Sequence, residues 1–81
     1  MLDGNAAGGE LSEVFGRDVT AAMGTCANCG ARAAVAAAHA YMGGPGTVLR
    51  CSSCGSVLMR MAHVRERLVL DASGVRLLEL R

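Results

Sequence analysis

The stretch "TCANCG", residues 25–30, returns in the second half of the chain as "RCSSCG", residues 50–55. Each copy has the form C-x-x-C-G, with a glycine directly after the second cysteine. A C-x-x-C turn brings two sulfur atoms to one side of the backbone, so two such turns supply the four corners of a tetrahedron. The spacing therefore predicts one metal site, with Cys26, Cys29, Cys51 and Cys54 as its ligands.

The ligand type predicts zinc as the metal. Four sulfur ligands complete the tetrahedral coordination of Zn²⁺ and leave no position for water or a substrate, so the site is predicted to be structural. Iron is the alternative, because a rubredoxin-like electron carrier holds its ion with the same four sulfurs. Such carriers surround the site with aromatic side chains, whereas this chain has only Phe15 and Tyr41. Two disulfides are a further alternative, which a reducing compartment disfavours.

Length and composition indicate one small domain with a thin core. The chain has 81 residues, of which 52% are hydrophobic, but many of these are alanines and there is no tryptophan. A domain of this size buries a modest share of its surface and usually needs a metal or another cross-link for stability. We therefore expect residues 1–81 to form a single domain whose folding depends largely on metal binding.

The charge pattern argues against several classes of function. The net charge is +1 and the chain lacks lysine. A nucleic-acid-binding ribbon is therefore a disfavoured alternative, because no basic patch with interleaved aromatic residues is present. The sequence also shows no Ser-His-Asp set, no phosphate-binding glycine loop and no paired carboxylates, and we predict that the protein is not an enzyme. We predict an accessory module that binds another protein.

The start of the chain lacks the features of an export signal. Residues 1–5 contain no basic residue and no apolar segment. The chain also has no uncharged apolar run of about 18 residues, the length that a membrane-spanning helix needs. The expectation is a soluble cytoplasmic protein without a membrane partner.

Residues 5–15 carry a helical pattern. Asp3 or Asn5 could cap the start of this helix, and Gly16 could end it. The apolar residues recur at the spacing of one helix face: Ala7, Leu11, Val14 and Phe15. The pattern predicts a short amphipathic N-terminal helix.

We call each C-x-x-C-G turn a knuckle. Residues 18–55 are predicted to form a knuckle, a hairpin and a second knuckle. The alanine-rich segment 31–42 has high helix propensity. A strand would instead alternate Val35, Ala37, His39 and Tyr41 with alanines on the other face. A hairpin returns its ends to about 5 Å from each other, which suits two knuckles that share one metal. We therefore predict a strand over 31–42, a turn over 43–46 and a return strand.

Residues 56–81 are predicted to form two or three antiparallel strands. Val57, Met59 and Met61 alternate with other residues, and a turn is expected at 71–74. The rival interpretation is a helix through residues 57–68, which would give a treble clef. The predicted fold class is a small α+β, mostly β, zinc ribbon: a short N-terminal helix and an antiparallel sheet of about four to six strands.

The remaining polar residues give weaker signals. His39 and His63 are interpreted as sheet residues, since the cysteines already complete a site. Together with Tyr41, His39 could form part of a binding surface. The arginines of the C-terminal half could line one sheet face that meets a partner: Arg60, Arg65, Arg67 and Arg76.

The chain resembles, over almost its whole length, a family of small bacterial proteins known only as a domain of unknown function. The resemblance rests on "DGNAAGGELSEVFGRDVTAA", "CANCG", "HAYMGGPGTVLRCSSCGSVLMRM" and "LDASGVRLLEL". Members look like zinc ribbons, which implies a ligand role for the four cysteines and strands on both sides of the second knuckle. The resemblance also implies an oxidoreductase as the protein partner. It implies no activity for the chain itself.

Overall fold

The computed structural model describes residues 2–80; Met1 and Arg81, the two ends of the predicted 1–81 domain, lie outside the described part. Within residues 2–80 the chain forms one α-helix and eight short strands. The helix, α1, spans Gly8–Phe15. The strands are β1 (Leu2–Asp3), β2 (Met23–Cys26), β3 (Arg32–Ala34), β4 (His39–Tyr41), β5 (Gly46–Arg50), β6 (Val57–Val64), β7 (Arg67–Asp71) and β8 (Val75–Glu79).

The predicted N-terminal helix is present, with a tighter first turn. The Asp3 side chain accepts a hydrogen bond from the Asn5 backbone N–H at 3.1 Å. A 3-10 turn over Gly4–Ala7 follows and leads into α1. Gly16, with φ 70°, ends the helix in the left-handed conformation, as the sequence predicts.

The buried face of this helical segment matches the predicted apolar stripe. Ala7 and Leu11 are fully buried, and the other two stripe residues pack against the same core. The Thr47 hydroxyl of β5 donates a hydrogen bond to the Glu10 carboxylate at 2.6 Å, which ties α1 to the neighbouring sheet. No helix in the described part of the chain is long and apolar enough to cross a membrane.

Two antiparallel sheets complete the fold. The large sheet has five strands in the order β1-β4-β5-β6-β7, and the small sheet has three in the order β3-β2-β8. The predicted class, a short helix with short antiparallel strands, is confirmed, and the small sheet is an addition to it. The predicted C-terminal meander is correct only for β6 and β7, because β8 leaves them and pairs with β2.

The predicted single strand over 31–42 is wrong. β3 and β4 belong to different sheets, and a 3-10 turn over Val35–Ala37 joins them. Backbone N–H groups of Val35 and Ala36 donate to the carbonyls of Ala22 and Thr20. The turn buries Val35, the one large apolar side chain of residues 31–38, and that burial outweighs continuation of the strand. The predicted hairpin is confirmed for β4 and β5.

The large sheet has an inner face that faces the core and an outer face that is open to solvent. Its most buried inner residues are Ala40, Leu49, Met59 and Met61. The two methionines, which alternate with other residues in the predicted strand, therefore belong to the core. The outer face carries the residues that alternate with these, and its central row crosses four strands as Tyr41, Val48, Arg60 and Asp71.

The loop between β6 and β7 offers a stabilising substitution. Its two residues, Arg65 and Glu66, have positive φ values of 50° and 70°. Such a two-residue loop is a type I′ turn, which favours Asn followed by Gly because larger L-residues are strained there. We expect Arg65→Asn/Glu66→Gly to raise the free energy of unfolding by about 1 to 2 kcal/mol, measured by urea titration. Arg76→Asn, at an exposed strand position, is the control; an equal rise there would contradict the explanation.

Candidate metal centre

The first knuckle is the turn that follows β2. Cys26 is the last residue of that strand, and its N–H donates to the carbonyl of Ala31 at 2.9 Å. The N–H of Gly30 donates back to the carbonyl of Cys26 at 2.9 Å. Gly30 has φ 76°, a conformation that glycine adopts without strain. These bonds close residues 26–31 into one tight loop.

The second knuckle repeats the same hydrogen bonds. The N–H of Cys51 donates to the carbonyl of Ser56 at 2.8 Å, and the N–H of Gly55 donates to the carbonyl of Cys51 at 2.9 Å. Gly55 has φ 79°, close to the value at the equivalent position of the first knuckle. The repeated C-x-x-C-G sequence is therefore one backbone loop built twice.

The two knuckles bring the four cysteine sulfurs together. All four Sγ atoms lie within 4.8 Å of one another. The pairs Cys26–Cys54 and Cys29–Cys51, which join the two knuckles, are each separated by 3.7 Å. Zinc–sulfur bonds of about 2.3 Å in a tetrahedron place the sulfurs about 3.8 Å apart, whereas a disulfide bond is about 2.05 Å long. The four cysteines are thus positioned to bind a metal ion, and none is disulfide-bonded.

Each knuckle contributes one buried and one exposed cysteine. Cys26 and Cys51 are 3% and 6% exposed, whereas Cys29 and Cys54 lie at the surface. Cys26 belongs to the small sheet, where it lies opposite Val75 of β8. Cys51 directly follows β5 of the large sheet. An ion held by these sulfurs would therefore connect the two sheets, with one side of the site open to solvent.

Hydrogen bonds favour the thiolate form at the second knuckle. The amide of Asn28 lies 3.5 Å from the sulfur of Cys54 and, with the side chain and backbone of Ser56, lowers the pKa of Cys54 to about 5. The backbone N–H of Cys54 is the main cause that lowers the pKa of Cys51, and the N–H of Ser53, 3.4 Å from that sulfur, adds to it. Since the thiolate is the metal-binding form, these donors favour metal binding.

Without an ion, the pKa of Cys29 is raised, in contrast to the lowered pKa values of Cys51 and Cys54. The backbone N–H of Ala31 is the largest influence on it and lowers its pKa, but desolvation and the three other thiols together raise the pKa of Cys29 to about 11. A cluster of sulfurs therefore keeps protons on some of its members. A divalent ion must displace those protons, so metal affinity falls as the pH is lowered.

Asn28 is the site residue that sequence reasoning missed. It lies in the first knuckle, yet its amide donates to Cys54 of the second. Asn28 could have been predicted from its position between two predicted ligands, because a polar side chain there is within reach of the sulfurs. Donors of this kind orient metal ligands and adjust their basicity.

Replacing Asn28 with alanine is expected to weaken metal binding about tenfold. Loss of the amide donor raises the pKa of Cys54 from about 5 toward its ordinary value of 9.0, so protons compete better and the metal is released at a higher pH. An acid titration with a chromogenic chelator measures this release. Ser53→Ala is the matched control, because its donor to Cys51 is a backbone N–H that the substitution keeps. Superimposable release curves for Asn28→Ala and wild type would contradict the prediction.

Neither histidine joins the sulfurs. His39 lies in β4 opposite Arg50, and His63 Nε2 lies 3.4 Å from a carboxylate oxygen of Glu13. Both histidines lie on strands of the large sheet, as predicted. Across residues 2–80, the four cysteines are the group of side chains placed to hold a metal ion.

The four arginines predicted to share one sheet face are divided. Arg60 and Arg67 lie on the outer face of the large sheet, and Arg65 lies in the loop between them. Arg76 lies on β8 in the small sheet. The prediction failed because it assumed that β8 continues the meander beside β7.

The comparisons with known proteins identify a family of unknown function. No significant match was found among curated proteins or among solved structures. A family model described as a family of unknown function matches residues 1–81. The whole-length resemblance noted in the sequence is therefore confirmed. The chain belongs to this family of unknown function, DUF6510.

Proposed function

We propose that this protein is a structural zinc-binding module that docks on another protein. The observation that carries the proposal is the cluster of four cysteine sulfurs, with 3.7 Å across each of two pairs between the knuckles. In this proposal Cys26, Cys29, Cys51 and Cys54 hold one Zn²⁺ and so lock the small sheet to the large sheet. The metal then maintains a binding surface and takes no part in a reaction.

The surroundings of the sulfurs favour zinc over iron. A cavity of about 40 Å³ lies beside Cys26 and Cys51, and small and aliphatic side chains dominate its lining. None of the described aromatic residues lines it. Tyr41 lies on the outer face of the large sheet, and Phe15 lies at the end of α1. The aromatic shield expected of a rubredoxin-like iron carrier is therefore missing from this side of the site.

The same features support a role without catalysis. Four sulfurs fill a tetrahedral coordination sphere and leave no position for water or a substrate. The cavity of about 40 Å³ has room for only a few water molecules. We therefore propose that the chain is an accessory protein and not an enzyme.

The outer face of the large sheet is the surface that we propose for the protein partner. Tyr41, Val64 and Val69 are 44%, 52% and 48% exposed on it. The Arg50 guanidinium lies 6.0 Å from the centre of the Tyr41 ring. Exposed aromatic and arginine side chains are the residue types enriched at protein interfaces. The family resemblance implies an oxidoreductase as the partner, and we include that class in the proposal.

Recovery of the protein from its native lysate, followed by metal analysis, tests the zinc part. The expected result is one zinc per chain and a colourless protein. A red protein with visible absorption that bleaches on reduction would show iron and would overturn this part of the proposal.

The same recovery tests the docking part when two variants are compared. Tyr41→Ala is expected to lose the captured partner, because it removes the aromatic group of the outer face. Leu77→Ala, which removes a side chain 55% exposed on the small sheet, is expected to keep it. Equal capture by both variants would contradict docking through the outer face.

A further inference from the structure

The last strand of the large sheet has an unpaired edge. β7 pairs with β6 on one side and with no strand of residues 2–80 on the other. Natural sheets often protect such an edge with a charged residue or a proline within the strand. β7 carries its two charged residues, Arg67 and Asp71, only at its ends, and its middle is Leu68-Val69-Leu70, with Val69 48% exposed. The edge is therefore open to pairing with another strand.

The sequence of β7 complements itself when two copies run antiparallel. If Val69 lies opposite Val69 of a second copy, Arg67 of each chain lies opposite Asp71 of the other. Leu68 and Leu70 lie opposite each other in the same register. Opposite charges across an antiparallel pair are stabilising. A contact related by a two-fold axis requires this kind of self-complementarity.

The two-residue loop before β7 determines which backbone groups point to the free edge. A loop of this type is closed by a hydrogen-bonded residue pair, here Val64 and Arg67. Hydrogen-bonded and non-hydrogen-bonded pairs then alternate along the ladder. It follows that Leu68 and Leu70 direct their N–H and C=O groups away from β6.

These outward groups are matched in the register centred on Val69. Leu68 of each copy lies opposite Leu70 of the other, so the backbone groups of both residues find partners. Arg67 and Asp71 then face each other at non-hydrogen-bonded positions, where side chains approach most closely. Within one chain, one oxygen of the Asp71 carboxylate accepts a hydrogen bond from the Ser73 backbone N–H at 2.9 Å, and the other lies 3.4 Å from the Arg60 guanidinium. The side chain is still 44% exposed, which leaves it accessible to a second chain.

We propose that the protein forms a two-fold symmetric dimer by antiparallel pairing of β7 with β7 of a second copy. The large sheet then continues through both chains. One strand from each copy makes a small interface, so we expect a weak dimer with a Kd between about 10 μM and 1 mM. The proposal rests on β7 alone, and its test is separate from the metal and partner measurements above.

Sedimentation of the full chain, purified without chelator, tests the dimer over that concentration range. Val69→Lys places two lysines against each other at the axis and is expected to raise the Kd at least about tenfold. Val64→Lys is the matched control: Val64 lies on the same face and is 52% exposed, but it belongs to β6 and not to the edge. Wild type that stays monomeric, or variants that behave alike, would overturn the proposal.

Charge exchange gives a second test of the register. Arg67→Asp and Asp71→Arg chains should each be monomeric, because each places like charges opposite one another. An equimolar mixture should dimerise, since both cross-strand pairs are then of opposite charge. A mixture of folded variants that fails to associate would contradict the register.

If a variant does not fold, amide hydrogen exchange in the wild type tests whether β7 pairs with β7 of a second copy. The N–H groups of Leu68 and Leu70 should become more protected as the protein concentration rises. The N–H of Val69, which is already directed toward β6, should change little. Protection of Leu68 and Leu70 that is independent of concentration would overturn the proposal.

Discussion

Replacing Cys51 with serine is expected to unfold the protein at room temperature. Structural zinc contributes an apparent folding free energy of about 10 kcal/mol or more at neutral pH, which exceeds the stability that this thin core can supply alone. The largest fully buried side chains are Leu11, Leu49, Met61 and Val19, with no aromatic residue among them. Cys51 is itself 6% exposed, so a serine hydroxyl there would also be poorly solvated. Circular dichroism during thermal and urea unfolding measures the loss.

Two controls separate metal loss from damage to the knuckle. Ser52→Ala, in the same loop at an exposed position, should leave stability and metal content unchanged. Excess chelator should bring wild type to the same unfolded state as Cys51→Ser, because both lack the ion. A circular dichroism spectrum of wild type that is unchanged after complete metal removal would refute the metal-dependent fold.

The candidate metal site could be predicted from the sequence because each of its two turns is defined by neighbouring residues. A C-x-x-C-G loop needs only neighbouring residues, and Gly30 and Gly55 adopt the left-handed conformation that such a loop requires. The helix was predictable for the same reason, since the spacing of Ala7 and Leu11 defines one face. Each knuckle and the helix are thus defined by contacts within a few residues along the chain, whereas the meeting of the two knuckles was inferred from the repeat of the C-x-x-C-G sequence.

Sheet membership could not be predicted, because it depends on contacts between distant residues. The alternation of residues in 31–42 fits a strand if Val35 is placed on a strand face. In the structure, Val35 is instead buried in a turn whose backbone N–H groups donate to the carbonyls of Ala22 and Thr20. The path of β8 back to β2 likewise depends on pairing between Gly24 and Leu78. Neither contact leaves a periodic signal in the sequence.

The crossing of β8 toward β2 depends on one glycine. Gly74 lies between β7 and β8, where its N–H donates to the carbonyl of Leu58 at 3.2 Å and its carbonyl accepts from the N–H of Ala27 in the first knuckle at 2.9 Å. A Cβ atom at this position would overlap the backbone carbonyl of Val57. The chain can therefore pass over β6 and reach the knuckle only if residue 74 has no side chain.

Replacing Gly74 with alanine is expected to reduce the free energy of unfolding by about 3 kcal/mol. The overlap is with backbone atoms of Val57 and Leu58, which cannot rotate away as a side chain can, so the connection between the two sheets must shift. Because the carbonyl of residue 74 accepts a hydrogen bond from Ala27 of the first knuckle, the shift should also disturb that knuckle and speed metal release to a chelator. Gly44→Ala is the matched control, since nothing lies within 4 Å of a Cβ atom there, and its stability should change by less than about 1 kcal/mol. Urea titration of the two variants measures the difference, and equal stabilities would show that the close approach at Gly74 is not required.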